Sequence, residues 1–157
     1  MTAEASTTSR ELSTANNTGQ ASVQLITPGT IRGTAWIDAD RDGQREPGEP
    51  AAPGFGLWEV RVLTEDGSGE ILPVEVDAGG HYSLVVKPNR YLVEVTINVF
   101  ALAWDFTTPN AGDEATDSDV VPVFADEFSA IAQSHVFEMA SASETVIDIG
   151  LTEEPLA

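Results

Sequence analysis

Residues 30–49 read Thr-Ile-Arg-Gly-Thr-Ala-Trp-Ile-Asp-Ala-Asp-Arg-Asp-Gly-Gln-Arg-Glu-Pro-Gly-Glu, a period-two segment that runs straight into a dense acidic loop. The loop, Asp38 to Glu49, fits the calcium-loop template D-x-D-x-D-G-x5-E at every fixed position. Asp38, Asp40 and Asp42 can aim three carboxylates at one cation, and Gly43 permits the sharp turn. The Gln44 carbonyl, Glu46 through water and a bidentate Glu49 can complete the shell. Oxygen ligands without His or Cys favour calcium over zinc.

The flanks decide what kind of calcium loop this is. An EF-hand needs a helix on each side, but Thr30 to Ile37 alternates strand formers and the exit carries Pro47, Pro50 and Pro53. No second D-x-D-x-D-G occurs, so a dockerin-like pair is excluded. The reading is a calcium loop set on a β framework, where an ion would hold a long connection rigid.

The chain has 157 residues, enough for one domain with a core, and a net charge of −19 from seven Lys and Arg against 26 Asp and Glu. That balance argues against nucleic-acid binding, because little is available to neutralise phosphates. It favours bound cations, which would cancel self-repulsion, although acidity that simply keeps a secreted or salt-tolerant protein soluble is also compatible. There is no Cys, so no disulfide staples the fold. No apolar run is long enough to insert in a membrane, and residues 1–28 lack the charged-then-apolar order of a signal peptide.

Residues 1–28, rich in Thr, Ser, Ala and Asn, read as a disordered leader, with Val23, Leu25 and Ile26 as a possible edge strand before Pro28-Gly29. Ile31, Gly33, Ala35 and Ile37 then share one strand face, opposite Arg32, Thr34 and Trp36. Trp58, Val60 and Val62 alternate with Glu59, Arg61 and Leu63 before the turn signal at 66–69. Leu72, Val74 and Val76 form the hairpin partner, and 77–80 turns again. Tyr82, Leu84 and Val86 make the next strand, followed by Tyr91, Val93, Val95 and Ile97. Residues 99–104 are expected as a loop or short strand over one end of the core. Late strands fall at 134–139 and 145–151, the latter burying Ile147, Ile149 and Leu151 with Asp148 turned away. Short strands with regular turn signals indicate an all-β sandwich, spanning 29–152 and followed by an acidic tail, 153–157.

The order of these motifs resembles the SdrD B-like domains, the calcium-binding B repeats of serine-aspartate-repeat bacterial surface adhesins. The likeness runs through Gly33 to Gly43 and Pro47 to Pro50, then Asp77 to Leu84 and Tyr91 to Val95. It continues through Phe106 to Asp113 and Asp117 to Val120, and closes at Asp148-Ile149-Gly150-Leu151. It implies a Greek-key β-sandwich of the collagen-adhesin B-type, prealbumin-like kind, stiffened by two or more calcium ions. Carried over by position, Asp38, Asp40, Asp42 and Glu49 would hold one ion, and Asp113, Asp117 and Asp119 would contribute to a second, with Glu114 a weaker candidate. The family's Pro-Gly before its Tyr is Pro88-Asn89-Arg90-Tyr91 here, and Asn tolerates the left-handed turn. The only Lys, Lys87, lies on a middle strand, so no Lys–Asn isopeptide crosslink is expected.

Function follows as an expectation. No catalytic or phosphate-binding motif is present, and His81 and His135 belong to none, so no enzyme is expected. The leading reading is a monomeric, calcium-rigidified structural or adhesive module, secreted or on a bacterial cell surface, with a protein or glycan target. The alternative is a carbohydrate- or ligand-binding module using an exposed tryptophan, Trp104 above all, or an open calcium position. Against that, large aromatics usually fill the cores of small sandwiches. A third reading is an accessory unit of a secreted enzyme.

Overall fold

The computed structural model describes residues 2–4, 18–20, 23–53, 58–66, 72–99 and 104–153. Their strands, in chain order, are β1 (Thr2–Glu4), β2 (Thr18–Gln20), β3 (Gly29–Ile37), β4 (Trp58–Thr64), β5 (Leu72–Val74), β6 (His81–Val86) and β7 (Asn89–Ile97). There follow β8 (Trp104–Phe106), β9 (Val120–Ala125), β10 (Ala130–Ser134), β11 (Phe137–Met139), β12 (Glu144–Val146) and β13 (Ile149–Glu153). No helix occurs among the described residues.

Two sheets form the sandwich. In one, β5, β4, β7, β10 and β9 lie side by side, with β11 continuing the β10 lane along β7. In the other, β6 pairs antiparallel with β3, and β12 and β13 together form one interrupted lane running parallel to β3; β8 closes that edge. Successive strands mostly cross from sheet to sheet, leaving β4–β5 and β9–β10 as the local hairpins. The all-β sandwich is therefore as the alternation predicts.

Alternation explains the core. Trp58, Val60 and Val62 of β4 and Tyr91, Val93, Val95 and Ile97 of β7 point inward, against Ile31, Ala35 and Ile37 of β3 and Ile149 and Leu151 of β13. Gly33 is required for close approach: a Cβ there would sit 1.8 Å from the Ile147 carbonyl oxygen. The Tyr82 hydroxyl donates to that same carbonyl, tying β6 across the gap between β12 and β13.

Because β3 and β13 are parallel neighbours, the chain enters the sandwich at Gly29 and leaves it at Glu153 from opposite ends. The acidic loop sits at the exit end. Asp38 N donates to Leu151 O at 2.7 Å, and Arg41 Nη2 donates to Glu153 O at 2.6 Å.

Several expectations need correction. The strand read at 134–139 begins earlier, as β10, and breaks before β11; β9 has no counterpart in the reading. The small residues Ala130 and Ala132 face the core, and β9 is an edge strand exposed at five of its six positions, so neither shows a clean apolar period. Asp148 does point away from Ile147 and Ile149, but it is buried on that face beside Thr34 and Arg45. Val23, Leu25 and Ile26 are exposed and unpaired rather than an edge strand. Within the stretch read as a leader, β1 and β2 pair with each other, apart from the two sheets. Most of that leader, residues 67–70 of the first hairpin turn, residues 100–103 of the apolar stretch and 154–157 of the tail lie outside the described residues.

The tryptophans are also settled. Trp36, Trp58 and Trp104 are all buried, so no tryptophan forms an exposed platform. Trp58 and Trp104 belong to the core, and Trp58 Nε1 donates to Pro53 O at 2.7 Å. Trp36 lies on the outer face of β3 beneath the loop, with the Arg45 guanidinium 5.9 Å from its ring centroid. Gly150 makes room for it, since a Cβ there would meet the Trp36 ring at 2.8 Å.

Candidate metal site

The loop grows out of the last residue of β3. Asp38 falls on the outer face, in line with Thr34 and Trp36, yet it is 1% exposed because the loop and Thr107 cover it. Its Oδ1 accepts Arg41 N at 2.6 Å, and its Oδ2 accepts Gly43 N at 2.8 Å and the Thr107 hydroxyl. One buried carboxylate thus folds the loop back on itself and clamps it to the segment after β8. The turn needs left-handed backbone at Arg41 (φ 65°) and Gly43 (φ 87°). Gly43 has no substitute there, because a Cβ would lie 2.6 Å from Thr108 O and 2.5 Å from Ala111 Cβ.

Asp40, Asp42 and Glu49 cap the loop's own backbone. Asp42 Oδ1 accepts Gln44 N at 2.7 Å, and Asp40 Oδ1 accepts Asp42 N at 3.3 Å. Glu49 reaches back across the loop, taking Ala39 N on Oε1 at 2.8 Å and Glu46 N on Oε2 at 3.1 Å. The five carboxylates converge. Ligand oxygens of Asp38, Asp40 and Asp42 lie within 4.8 Å of one another, as do those of Asp40, Glu46 and Glu49. Asp40 belongs to both groups. Burial and the neighbouring Asp42, Asp40 and Glu49 charges push the Glu46 carboxyl above its ordinary range. A donor set of hard, mutually repelling oxygens around one shared carboxylate fits a divalent oxygen-preferring cation.

Gln44 also ties the loop to a second segment. It forms a β-bridge with Asp117, and its side-chain Oε1 accepts from the Thr116 hydroxyl at 2.8 Å and from Asp113 N at 3.2 Å. Arg45 N donates to Thr116 O at 2.8 Å, so the 38–49 loop and the 107–119 segment form one unit.

Asp113, Asp117 and Asp119 do not form a group of three within the same distance. Asp113 caps a turn by accepting Ala115 N at 3.0 Å. Asp119 Oδ2 accepts Asp148 N at 2.6 Å, and burial pushes its carboxyl up to about 6. Asp117 is 4% exposed, its Oδ1 has no hydrogen-bond partner, and burial followed by Glu114 and Asp113 raises its pKa.

Two contributors escaped the sequence reading. Thr107 is one Thr among many, and only the fold brings its hydroxyl to Asp38. Asp148 accepts Thr34 N at 2.7 Å and faces Arg45 at 3.8 Å. Burial raises its pKa, partly offset by the Thr34 N–H and by Arg45. Its alternation correctly placed it on the outer face but could not show that this face is covered. The histidines have simple surroundings: His81 Nδ1 lies 3.3 Å from the Thr34 hydroxyl, and His135 packs edge-on to Phe137.

No family model matches the chain, and no curated protein matches it. Among solved structures it is similar to the minor pilin GBS52 of Streptococcus agalactiae, at 9% identity and a TM-score of 0.41 over 84% of this chain and 47% of that one. It is similar to a DUF3823 family protein of Parabacteroides merdae at 11% identity and a TM-score of 0.40, over 82% and 47%. It is also similar to the fimbrial anchor protein Mfa2 of Porphyromonas gingivalis at 16% identity and a TM-score of 0.39, over 80% and 50%. The chain thus spans half or less of the length of each of these proteins.

Proposed function

We propose that residues 38–49 hold a calcium ion, and that the chain is a non-enzymatic, calcium-rigidified structural or adhesive unit of a secreted or cell-surface bacterial protein. The observation that carries this reading is the convergence of Asp38, Asp40, Asp42, Glu46 and Glu49 on one shared carboxylate. Bound calcium would supply positive charge that relieves their repulsion. Asp38, Asp40, Asp42, Glu46 and Glu49 would hold it, with the Gln44 carbonyl available on the same loop. The resemblance to SdrD B-like domains supports the same assignment. A second ion near Asp113, Asp117 and Asp119 rests on that resemblance and on the partnerless buried Asp117 Oδ1.

The fold supports a spacer role. Entry and exit lie at opposite ends of the parallel β3–β13 pair, and the loop braces the exit through Leu151 and Glu153. An ion that binds only the folded state stabilises it by about 2.7 kcal/mol at a hundredfold excess over Kd. The test is calorimetric calcium titration of EDTA-stripped protein, with thermal melts in EDTA and in millimolar calcium. Saturable binding with a clear rise in Tm is expected. No heat of binding and coincident melts would refute the assignment.

A further inference from the structure

Two sets of large apolar side chains stand in solvent, and they suit one another. The first is Val23, Leu25 and Ile26, 79%, 90% and 59% exposed, in a segment without strand pairing that leads into β3. The second lies on β9, whose outer edge no described strand pairs: Val123 and Phe124 are 55% and 51% exposed, with Val121 beside them and Phe128 beyond the turn. An unpaired edge with an apolar surface is a template for a further strand.

We propose that residues 23–26 of one copy add as an extra strand to the β9 edge of a second copy, giving head-to-tail association. Three features favour this occupant over a symmetric pairing of two β9 edges. Pro122 removes one backbone donor from β9, and a β9–β9 pair would contain that gap twice. Asp119 precedes β9 and Asp126 and Glu127 follow it, so the antiparallel pairing of two β9 edges would set the acidic end of each against Asp119 of the other. The leader is the nearly neutral part of the molecule: it carries Arg10, Glu4 and Glu11, so only −1 of the net charge of −19 falls there.

The 23–26 segment has the needed chemistry. Val23 and Leu25 repeat at period two, so both can fall on one strand face against Val121 and Val123, with Thr27 already held by Ser141 and Ala142 of its own copy. A strand that leaves one copy and docks on a different surface of the next makes a heterologous contact, which propagates instead of closing as a dimer.

The experiment is sedimentation velocity of the full chain from micromolar to near-millimolar concentration, beside Leu25→Asp, Val123→Lys and, as a control on an exposed β6 position, Val85→Lys. Mass-action growth beyond dimer is expected for wild type and Val85→Lys, with association weakened about tenfold or more in each of the other two. Because the chain has no Cys, Leu25→Cys and Val123→Cys report the contact directly: oxidising an equal mixture should give mixed dimers well above either homodimer. A monomer at every concentration would overturn the proposal. So would Val123→Cys homodimers in excess, unaltered association of Leu25→Asp, or an intramolecular bond in dilute doubly substituted chain.

Discussion

Asp40→Ala separates the ion from the architecture of its loop. Asp40 is solvent-exposed and accepts a 3.3 Å bond from Asp42 N, yet it belongs to both carboxylate groups. Without calcium its removal takes away one long exposed hydrogen bond, worth about 0.5 kcal/mol or less, and relieves repulsion from four nearby carboxylates. Stability in EDTA should therefore change by no more than about 0.5 kcal/mol, in either direction. With calcium at a hundredfold excess over the wild-type Kd, the variant forfeits most of the linked 2.7 kcal/mol or so. For a chain of this size that is a fall in Tm of about 5–10 °C. The assay is a pair of thermal melts of wild type and variant, in EDTA and in calcium. Equal Tm differences in the two buffers would refute the reasoning, because Asp40 would then matter only as a surface side chain.

Asp38→Ala should behave otherwise: it leaves Arg41 N, Gly43 N and the Thr107 hydroxyl without their acceptor, so urea melts should show a loss of about 3–5 kcal/mol even in EDTA. Gly43→Ala forces an alanine to φ 87° and against Thr108 O, and should cost about 2 kcal/mol or more in the same melts, with weakened calcium binding by calorimetry. Asp119, held up near 6 by burial, lies above its unfolded value of about 3.9. Its contribution is therefore most favourable below about pH 4 and is lost as the pH rises through about 6. Asp119→Asn keeps an acceptor for Asp148 N, so in EDTA its stability relative to wild type should increase between pH 4.5 and 6.5; a pH-independent difference would contradict the burial argument.

The division between what could be read from the chain and what could not follows the range of the interactions. The convergence of the carboxylates in residues 38–49 was legible because the loop is local: the carboxylates, the left-handed Gly43 and the reach of Glu49 are all fixed within a dozen residues. β4 and β7 were legible for the same reason, since a strand with one buried face writes its period into adjacent positions. β9 and β10 were not, because an edge strand need not alternate and Ala130 and Ala132 carry little apolar signal.

The sequence alone determined an acidic, cysteine-free, all-β chain with one complete calcium-loop template. Only the tertiary structure decided that Asp38 is clamped by Thr107, that Asp148 is buried beside Arg45, that Asp119 caps Asp148 N while Asp117 Oδ1 has no hydrogen-bond partner, and that all three tryptophans are covered. Each of those outcomes depends on which loop lies over which face of a sheet. That is set by contacts between residues many tens of positions apart, where periodicity and spacing carry no information.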